Sequence, residues 1–180
     1  MLFRSGKVYR EKRVDDLIKA VARLDHASRS RALCVIAGDG TCRREWEALA
    51  HELGVRAVFA GFVNLDRLPA FYRAADIFVH PAEREQYGMV VLEAARAGLP
   101  LVISDKVGAL APTDVARDGH NALAFPAGDV SRLAENIQRL IDDEPLRVRM
   151  GRSSLAISAH HTPMNGADTI VRTLEKVFAS

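Results

Sequence analysis

The stretch DIFVHPAEREQYGMVVLEAARAGLPLVIS, residues 76–104, joins two short apolar runs through a segment of different periodicity. The runs DIFVH (76–80) and PLVIS (100–104) have the character of strands that are buried on both faces of a parallel sheet. Residues 88–97 between them place apolar side chains at helical spacing. The order strand, helix, strand predicts a βαβ unit.

The same alternation extends along the chain in both directions from this unit. Further strands are predicted at 2–8, 31–38, 56–61 and 122–125, and further helices at 14–25, 42–53, 67–75 and 130–142. Two more helical stretches, 146–159 and 164–178, follow the last strand, and the longest irregular segment is 105–121. We therefore predict an α/β fold with a doubly wound, Rossmann-like parallel sheet. Residues 1–180 are expected to form a single domain in which 146–180 are C-terminal helices.

Composition and charge exclude several classes of protein. The chain has 180 residues, of which 48% are hydrophobic and 27% charged, as in ordinary globular domains. A net charge of +2 without a long run of one sign gives no reason to expect a nucleic-acid partner. Cys34 and Cys42 are too few for a disulfide framework or a zinc site. No signal-peptide or membrane-spanning stretch is present in the sequence, so we expect a cytoplasmic protein.

Loops after the predicted strands contain the candidate binding residues, because ligands of doubly wound sheets bind beyond the carboxyl ends of the strands. Each of the first five such loops carries Gly, Pro or a charge: SGK (5–7), AGDGT (37–41), AGFVN (60–64), HPAEREQYG (80–88) and SDKVGAL (104–110). Turn geometry alone would explain any one of them. None is a G-x-G-x-x-G fingerprint, which argues against a dinucleotide-dependent dehydrogenase.

Two carboxylates, Glu85 and Glu93, lie on either side of the predicted start of helix 88–97. Glu93 is about 7–8 Å along the helix axis from that start, at about 1.5 Å per residue. The free amides of the first turn favour a phosphate, whereas carboxylates repel phosphate and accept hydrogen bonds from hydroxyl groups. Each carboxylate is therefore expected at a sugar, with a diphosphate between them that Lys7 and Lys12 could neutralise. This outline fits a nucleotide diphosphate sugar.

The segment EQYGMVVLEAARAGLPLV (85–102) resembles the E-x7-E segment of retaining glycosyltransferases of family 4. Four further segments resemble the family in the same order: SGKVYREKRVDDLIKA (5–20), VIAGDGTCRREWEALAHELGV (35–55), FAGFVNLDRLPAFYRAADIFVHPA (59–82) and DVARDGHNALAFPAGDVSRLAENIQRLIDDEPLRVRMG (114–151). The resemblance extends from about residue 2 to 178. It implies the C-terminal, donor-binding half of a GT-B enzyme, in which two Rossmann-like domains face each other. The N-terminal domain, which holds most of the acceptor site in the family, would then be missing, and we expect the chain to be a fragment.

The resemblance also implies roles for individual residues. Lys7, in place of the usual Arg, and Lys12 would hold the diphosphate, Glu85 would bind hydroxyls of the transferred sugar, and these three are the predicted catalytic residues. Glu93 would bind the ribose. The remaining donor-site residues are expected to be Gly6, Gly38, Gly61, Phe62, Val63, Gln86, Tyr87, Gly88 and Met89. Of these, 61–63 would line the base pocket, and the amides of 86–89 would contact the phosphate or the sugar.

The implied reaction retains the anomeric configuration and needs neither a metal nor a cofactor, since the nucleotide sugar is the substrate. The transferred group would be a hexose and the acceptor a glycan, a lipid or a small molecule. A nucleotide-sugar-binding module without catalysis, or less favourably an epimerase of the same fold, remains an alternative. His80 either points at a donor phosphate or merely ends its strand, and Trp46 and the Met89 side chain are expected in the core. Three arginines at 147, 149 and 152 would form a solvated face, with a weak membrane contact as the alternative.

Overall fold

Six strands form one parallel sheet in the computed structural model of the chain, which describes residues 1–161. They are β1 (Leu2–Ser5), β2 (Cys34–Ala37), β3 (Ala57–Gly61), β4 (Ile77–His80), β5 (Leu101–Ser104) and β6 (Ala122–Phe125). Their order in the sheet is β3-β2-β1-β4-β5-β6, and every neighbouring pair is parallel. All six predicted strands are confirmed, although most are shorter than predicted.

Seven α-helices connect and flank the strands within the described residues. They are α1 (Val14–Ala22), α2 (His26–Arg31), α3 (Arg43–Glu52), α4 (Leu68–Ala74), α5 (Met89–Arg96), α6 (Val130–Asp142) and α7 (Glu144–Ser158). The single predicted helix 14–25 was wrong at its end, because the Asp25 side chain accepts a hydrogen bond from the Ser28 amide at 2.8 Å and starts α2. The predicted helix 164–178 lies outside the described residues.

The hydrophobic core has two parts, one on each face of the sheet. On one face, the apolar stripe of α1, including Leu17 and Ile18, packs with Trp46 of α3. On the other face, Phe3 and Phe78 from neighbouring strands pack with side chains of α4 and α5. Strands covered on both faces carry mostly apolar residues pointing to either side, which is why the predicted runs did not alternate.

The order of the strands reverses between β1 and β4, which are neighbours in the sheet although four α-helices and two strands separate them along the chain. Phe3 lies opposite Phe78 in the register of this pair. The chain therefore leaves β1 at Gly6 and β4 at His80 at adjacent points of one sheet edge. This is the topological switch point at which doubly wound sheets bind their ligands. Over residues 1–161, none of the helices is long and apolar enough to cross a membrane.

Candidate functional site

Three polar side chains meet at the switch point. Lys12 ends a short 3-10 turn (Arg10–Lys12), Glu85 lies in the loop between β4 and α5, and His80 is the last residue of β4. The Lys12 Nζ is 3.0 Å from Glu85 Oε2, and His80 Nε2 is 3.3 Å from the same oxygen. Lys12 also donates to the carbonyl oxygen of Arg84 at 3.3 Å. Two of the predicted site residues are thus in direct contact, and His80 points at Glu85 rather than merely ending the strand.

Burial and hydrogen bonding set the protonation states of this cluster. His80 is only 1% exposed, and burial lowers its pKa. The neutral ring can donate its Nε2 proton to Glu85, since a carboxylate only accepts. This hydrogen bond from His80, together with that from Lys12, lowers the pKa of Glu85 to about 2. Both partners use Oε2, and within the described part of the chain Oε1 has no hydrogen-bond partner.

The Glu85 loop is held by backbone contacts to the segment after β5. The amide of Glu85 donates to Lys106 O at 3.2 Å, and the amide of Gly108 donates back to Glu85 O at 3.0 Å. A Cβ atom at Gly108 would lie 1.8 Å from the carbonyl oxygen of Gln86, so only glycine allows the two segments to approach this closely. The irregular segment after β5 therefore packs against the Glu85 loop and lines one side of the site.

Helix α5 begins at the predicted place and directs its first turn at the same edge. Gly88 is its N-cap residue, with a φ of 89° that favours glycine. Within residues 1–161, the amides of Gly88, Met89 and Val90 have no acceptor, as expected for the first turn of a helix open to a ligand. The prediction that the Met89 side chain belongs to the core was wrong, because it is 59% exposed at the helix start.

Glu93, one turn further along α5, is fixed by a hydroxyl relay that the sequence did not reveal. The hydroxyl of Tyr72 donates to Glu93 Oε2 at 2.7 Å and lies 2.6 Å from Ser5 Oγ. Because the single phenolic proton goes to the carboxylate, Ser5 is the donor to Tyr72. Burial raises the pKa of Tyr72, which keeps this proton in place at neutral pH. Glu93 and Tyr72 line a cavity of about 440 Å³ between α4 and α5, which Leu65 and Leu68 also line.

The remaining predicted site residues lie around this centre, but not all of them touch it. Lys7 is exposed, and its Nζ lies 5.8 Å above the ring of Tyr9, without a contact to Lys12 or Glu85. Phe62 is 80% exposed, and neither it nor Val63 lines the cavity beside Glu93.

The carboxyl edge of the sheet is formed by three of the predicted glycines. The loop residues next to Glu85 lie at the same edge. Gly38 packs so closely on Gly6 that a Cβ atom would lie 1.9 Å from the Gly6 oxygen, and its amide donates to Gly61 O at 2.7 Å. Gln86 lines a second opening, of about 520 Å³, with Lys12 and Glu85. The hydroxyl of Tyr87 donates to Asp114 at 3.2 Å, which turns this side chain towards the loop after β5.

Arg13 anchors the Glu85 loop to the start of α1. Its backbone φ of 47° is the only positive value at a non-glycine residue within the described part of the chain. The guanidinium contacts both carboxylate oxygens of buried Asp16, at 2.5 and 3.0 Å, and that of Glu83 at 2.9 Å. The amide of Glu83 also donates to Glu11 O at 3.0 Å. Arg13 thus holds the loop to the start of α1 with its side chain.

Sequence comparison connects this geometry to a family. The family described as glycosyl transferases group 1 matches residues 1–155. The chain belongs to this family. Among its relatives, a 2-deoxystreptamine glucosyltransferase of Streptomyces kanamyceticus is 36% identical over 163 residues, which are 87% of this chain and 41% of the relative. A D-inositol 3-phosphate glycosyltransferase of Streptomyces bingchenggensis is 34% identical, over 97% of this chain and 39% of that protein.

Solved structures of glycosyltransferases show the same fold. The catalytic domain of the cholesterol-alpha-glucosyltransferase from Helicobacter pylori has a TM-score of 0.80 and 27% identity, covering 89% of this chain and 98% of that one. The Anabaena protein HepE, crystallised with UDP, has a TM-score of 0.82 at 23% identity, covering 97% of this chain and 48% of that one. The Rossmann-like sheet of this group 1 chain is accordingly that of one half of a GT-B glycosyltransferase. The chain spans only 36–42% of the length of the curated relatives it matches first.

Proposed function

We propose that this chain is the nucleotide-sugar donor-binding domain of a retaining glycosyltransferase. The enzyme transfers a hexose from a nucleoside diphosphate sugar to a glycan, a lipid or a small molecule. The observation that carries the proposal is the placement of Glu85 and Glu93 on either side of the open first turn of α5, with Lys12 beside Glu85. Membership of group 1 supports it, as do the relatives named for sugar transfer and a structural neighbour crystallised with UDP.

Each part of the site suits one part of such a donor. The free amides of α5 and the ammonium group of Lys12 attract the diphosphate and stabilise the charge that develops on it as the leaving group. Glu93, held by Tyr72, accepts hydrogen bonds from the ribose, and Glu85 accepts them from the transferred sugar through its free Oε1. A carboxylate with a pKa of about 2 is a poor proton acceptor at neutral pH, so Glu85 suits binding better than general base catalysis. The reaction proceeds without metal or cofactor in this proposal.

Titration calorimetry of the 180-residue chain with UDP, GDP, ADP and their hexose conjugates tests the proposal. We expect one nucleotide to be preferred, and Glu93→Ala and Lys12→Ala each to lower its affinity at least about tenfold, since each removes a charged hydrogen bond. Lys19→Ala is the matched control, because among residues 1–161 Lys19 pairs only with Asp15 of the same helix. A folded wild-type chain that binds none of these nucleotides, or an equal loss in the control, would contradict the proposal.

Two alternatives stand beside this function: a domain that binds a nucleotide sugar without catalysing its transfer, and a domain of an epimerase of the same fold. Joining the chain to the N-terminal half of the Streptomyces kanamyceticus relative separates these functions. Transfer with retention supports the transferase, a changed sugar without transfer supports the epimerase, and binding alone supports the module.

We place the protein in the cytoplasm, at the inner face of the membrane if the acceptor is a lipid. Arg149 and Arg152 line an open groove of about 780 Å³ along α7, together with Val148. Arg147 does not share this face, since it donates to Leu140 O at 2.8 Å and caps the end of α6. Sedimentation with anionic and with neutral vesicles tests the placement, and equal binding to both would contradict an electrostatic contact.

A further inference from the structure

His80 is a polar residue at the end of the apolar strand β4. Its side chain is 1% exposed, and its ring stacks on that of Phe78 with 6.2 Å between the ring centres. The Nδ1 atom is buried and has no hydrogen-bond partner within residues 1–161. A buried polar atom without a partner destabilises a fold, and an apolar side chain would avoid this loss. Packing therefore gives no reason for a histidine at this position.

The other ring nitrogen of His80 is directed at Glu85. Its Nε2 lies 3.3 Å from Glu85 Oε2, to which Lys12 Nζ also donates, at 3.0 Å. Glu85 stays ionised at neutral pH, because its pKa is about 2, and a carboxylate only accepts. His80 is therefore the donor of this hydrogen bond. Two donors, one from the end of β4 and one from the 3-10 turn, meet at a single carboxylate oxygen and fix its orientation.

The backbone of Glu85 is fixed as well, so its side chain has little freedom left. The segment after β5 binds the Glu85 amide through Lys106 O and the Glu85 carbonyl oxygen through the Gly108 amide. Glu85 lines the opening of about 520 Å³ beside Gln86. With Oε2 occupied twice, Oε1 is the oxygen that remains for a hydroxyl group entering this opening.

Lys12 has a second task in the proposed function, whereas His80 does not. An ammonium group donates three hydrogen bonds, and those of Lys12 to Glu85 and to Arg84 O leave one without an acceptor among the described residues. A diphosphate would compete for this cation. The His80 ring is neutral, since burial lowers its pKa, and it belongs to the sheet, where a diphosphate does not draw it away from Glu85. His80 is thus the donor that stays on Glu85 in the occupied site.

We propose that His80 is a positioning residue for the transferred sugar, because its Nε2–H group holds Glu85 Oε2 and directs Oε1 to the hydroxyl groups of the sugar. The part that concerns the sugar rests on the proposed function. The hydrogen bond itself does not, because it is observed without a ligand. A residue that acts in this way affects binding of the hexose part of a donor and leaves binding of the nucleoside diphosphate part unchanged. A residue needed only for the fold affects both.

Two substitutions separate the Nε2 proton from the volume of the ring. The amide group of Gln reaches the position of Nε2, so His80→Gln keeps a donor for Glu85, whereas the shorter Asn reaches only the position of Nδ1 and loses it. His51→Asn, which changes an exposed histidine of α3, is the matched control. We expect all three variants to fold, as judged by urea unfolding. Failure of either His80 variant to fold would make His80 a residue of the fold and overturn the proposal.

Nitrogen-15 NMR of the histidine-labelled chain tests the hydrogen bond without a ligand. The chain has six histidines, and the His80 signal is the one that His80→Gln removes. We expect a neutral ring at neutral pH that is protonated at Nε2, and a changed Nε2 shift in Glu85→Ala, which removes the acceptor. A charged ring, a neutral ring protonated at Nδ1, or an Nε2 shift that Glu85→Ala leaves unchanged overturns the proposal.

Titration calorimetry with the preferred nucleoside diphosphate and with its hexose conjugate tests the sugar part. We expect His80→Asn to weaken binding of the conjugate about tenfold and binding of the nucleoside diphosphate less than about twofold, and His80→Gln to restore most of the loss. In Glu85→Ala, His80→Asn should have no further effect, because it acts through that carboxylate. Equal losses for the two ligands, equal losses in the Gln and Asn variants, or additive losses with Glu85→Ala would overturn the proposal.

The binding of the wild type separates this proposal from the proposed function. A wild type that binds neither ligand contradicts the proposed function, and the NMR result then decides whether His80 holds Glu85. If the wild type binds the nucleoside diphosphate but Glu85→Ala leaves binding of the conjugate unchanged, nucleotide binding stands and the role of His80 at the sugar is overturned.

Discussion

Glu93 owes its orientation to one hydroxyl group, and a double-mutant cycle between Tyr72→Phe and Glu93→Ala measures that dependence. The hydrogen bond removed is 2.7 Å long and ends on a carboxylate; bonds to charged groups contribute about 1.5–3 kcal/mol. Because Glu93 is partly exposed, water replaces some of this, and we expect a coupling of about 1–2 kcal/mol. Tyr72→Phe alone also leaves the Ser5 hydroxyl, 2% exposed, without its acceptor, so its total loss is about 2–3 kcal/mol.

Urea unfolding of the wild type, both single variants and the double variant gives the coupling from the four free energies of unfolding. Tyr9→Phe is the matched control: its hydroxyl has no hydrogen bond in the described part of the chain, and its change should stay within about 0.5 kcal/mol. A coupling below about 0.5 kcal/mol is within ordinary additivity and would refute the argument that Tyr72 holds Glu93.

Three further predictions concern the loops of the site. The pKa of Glu85 is about 2 in the fold and 4.5 ordinarily, so its contribution to stability is complete above pH 4.5 and is lost as the pH falls towards 2. Because solvent screens this carboxylate, we expect Glu85→Gln to lower the free energy of unfolding at pH 7 by about 1–2 kcal/mol. In urea unfolding measured from pH 7 to 3, this variant should also lose less stability than the wild type as the pH falls. Arg13→Gly should lower the free energy of unfolding by about 2–3 kcal/mol, because buried Asp16 loses its partner. An unchanged free energy of unfolding in urea would show that the Arg13–Asp16 ion pair does not stabilise the fold. Gly108→Ala should lower the free energy of unfolding by more than about 3 kcal/mol, because the added Cβ atom would clash with a carbonyl oxygen. Gly119→Ala, where a Cβ atom would meet no atom within 4 Å, should lower it by only about 1 kcal/mol, because its φ is positive. Equal losses of the two variants in thermal unfolding would contradict the clash.

The strands and the start of α5 could be predicted from the sequence because their signals are local. A strand covered on both faces needs an apolar run, and the runs ending near Ser5 and His80 are of this kind. The start of α2 was missed because the cap at Asp25 was assigned to the preceding helix. Local periodicity does not show where one amphipathic segment gives way to the next.

The partners within the site could not be predicted, because they depend on the order of strands in the sheet. Only when β1 lies beside β4 does Ser5 come within reach of Tyr72, and the two residues are distant along the chain.

Where the loops of the site meet, main chain lies directly on main chain. At Gly38 and Gly108 a single methyl group would overlap a carbonyl oxygen of the facing segment, at 1.9 and 1.8 Å. A larger side chain at either position would require the facing segment to move, so few substitutions are tolerated at the inner edge of the crevice. The outer rim is different, since Phe62 and Leu65 are 80% and 81% exposed. A library intended to change which donor is accepted should therefore randomise the rim and leave the glycines untouched.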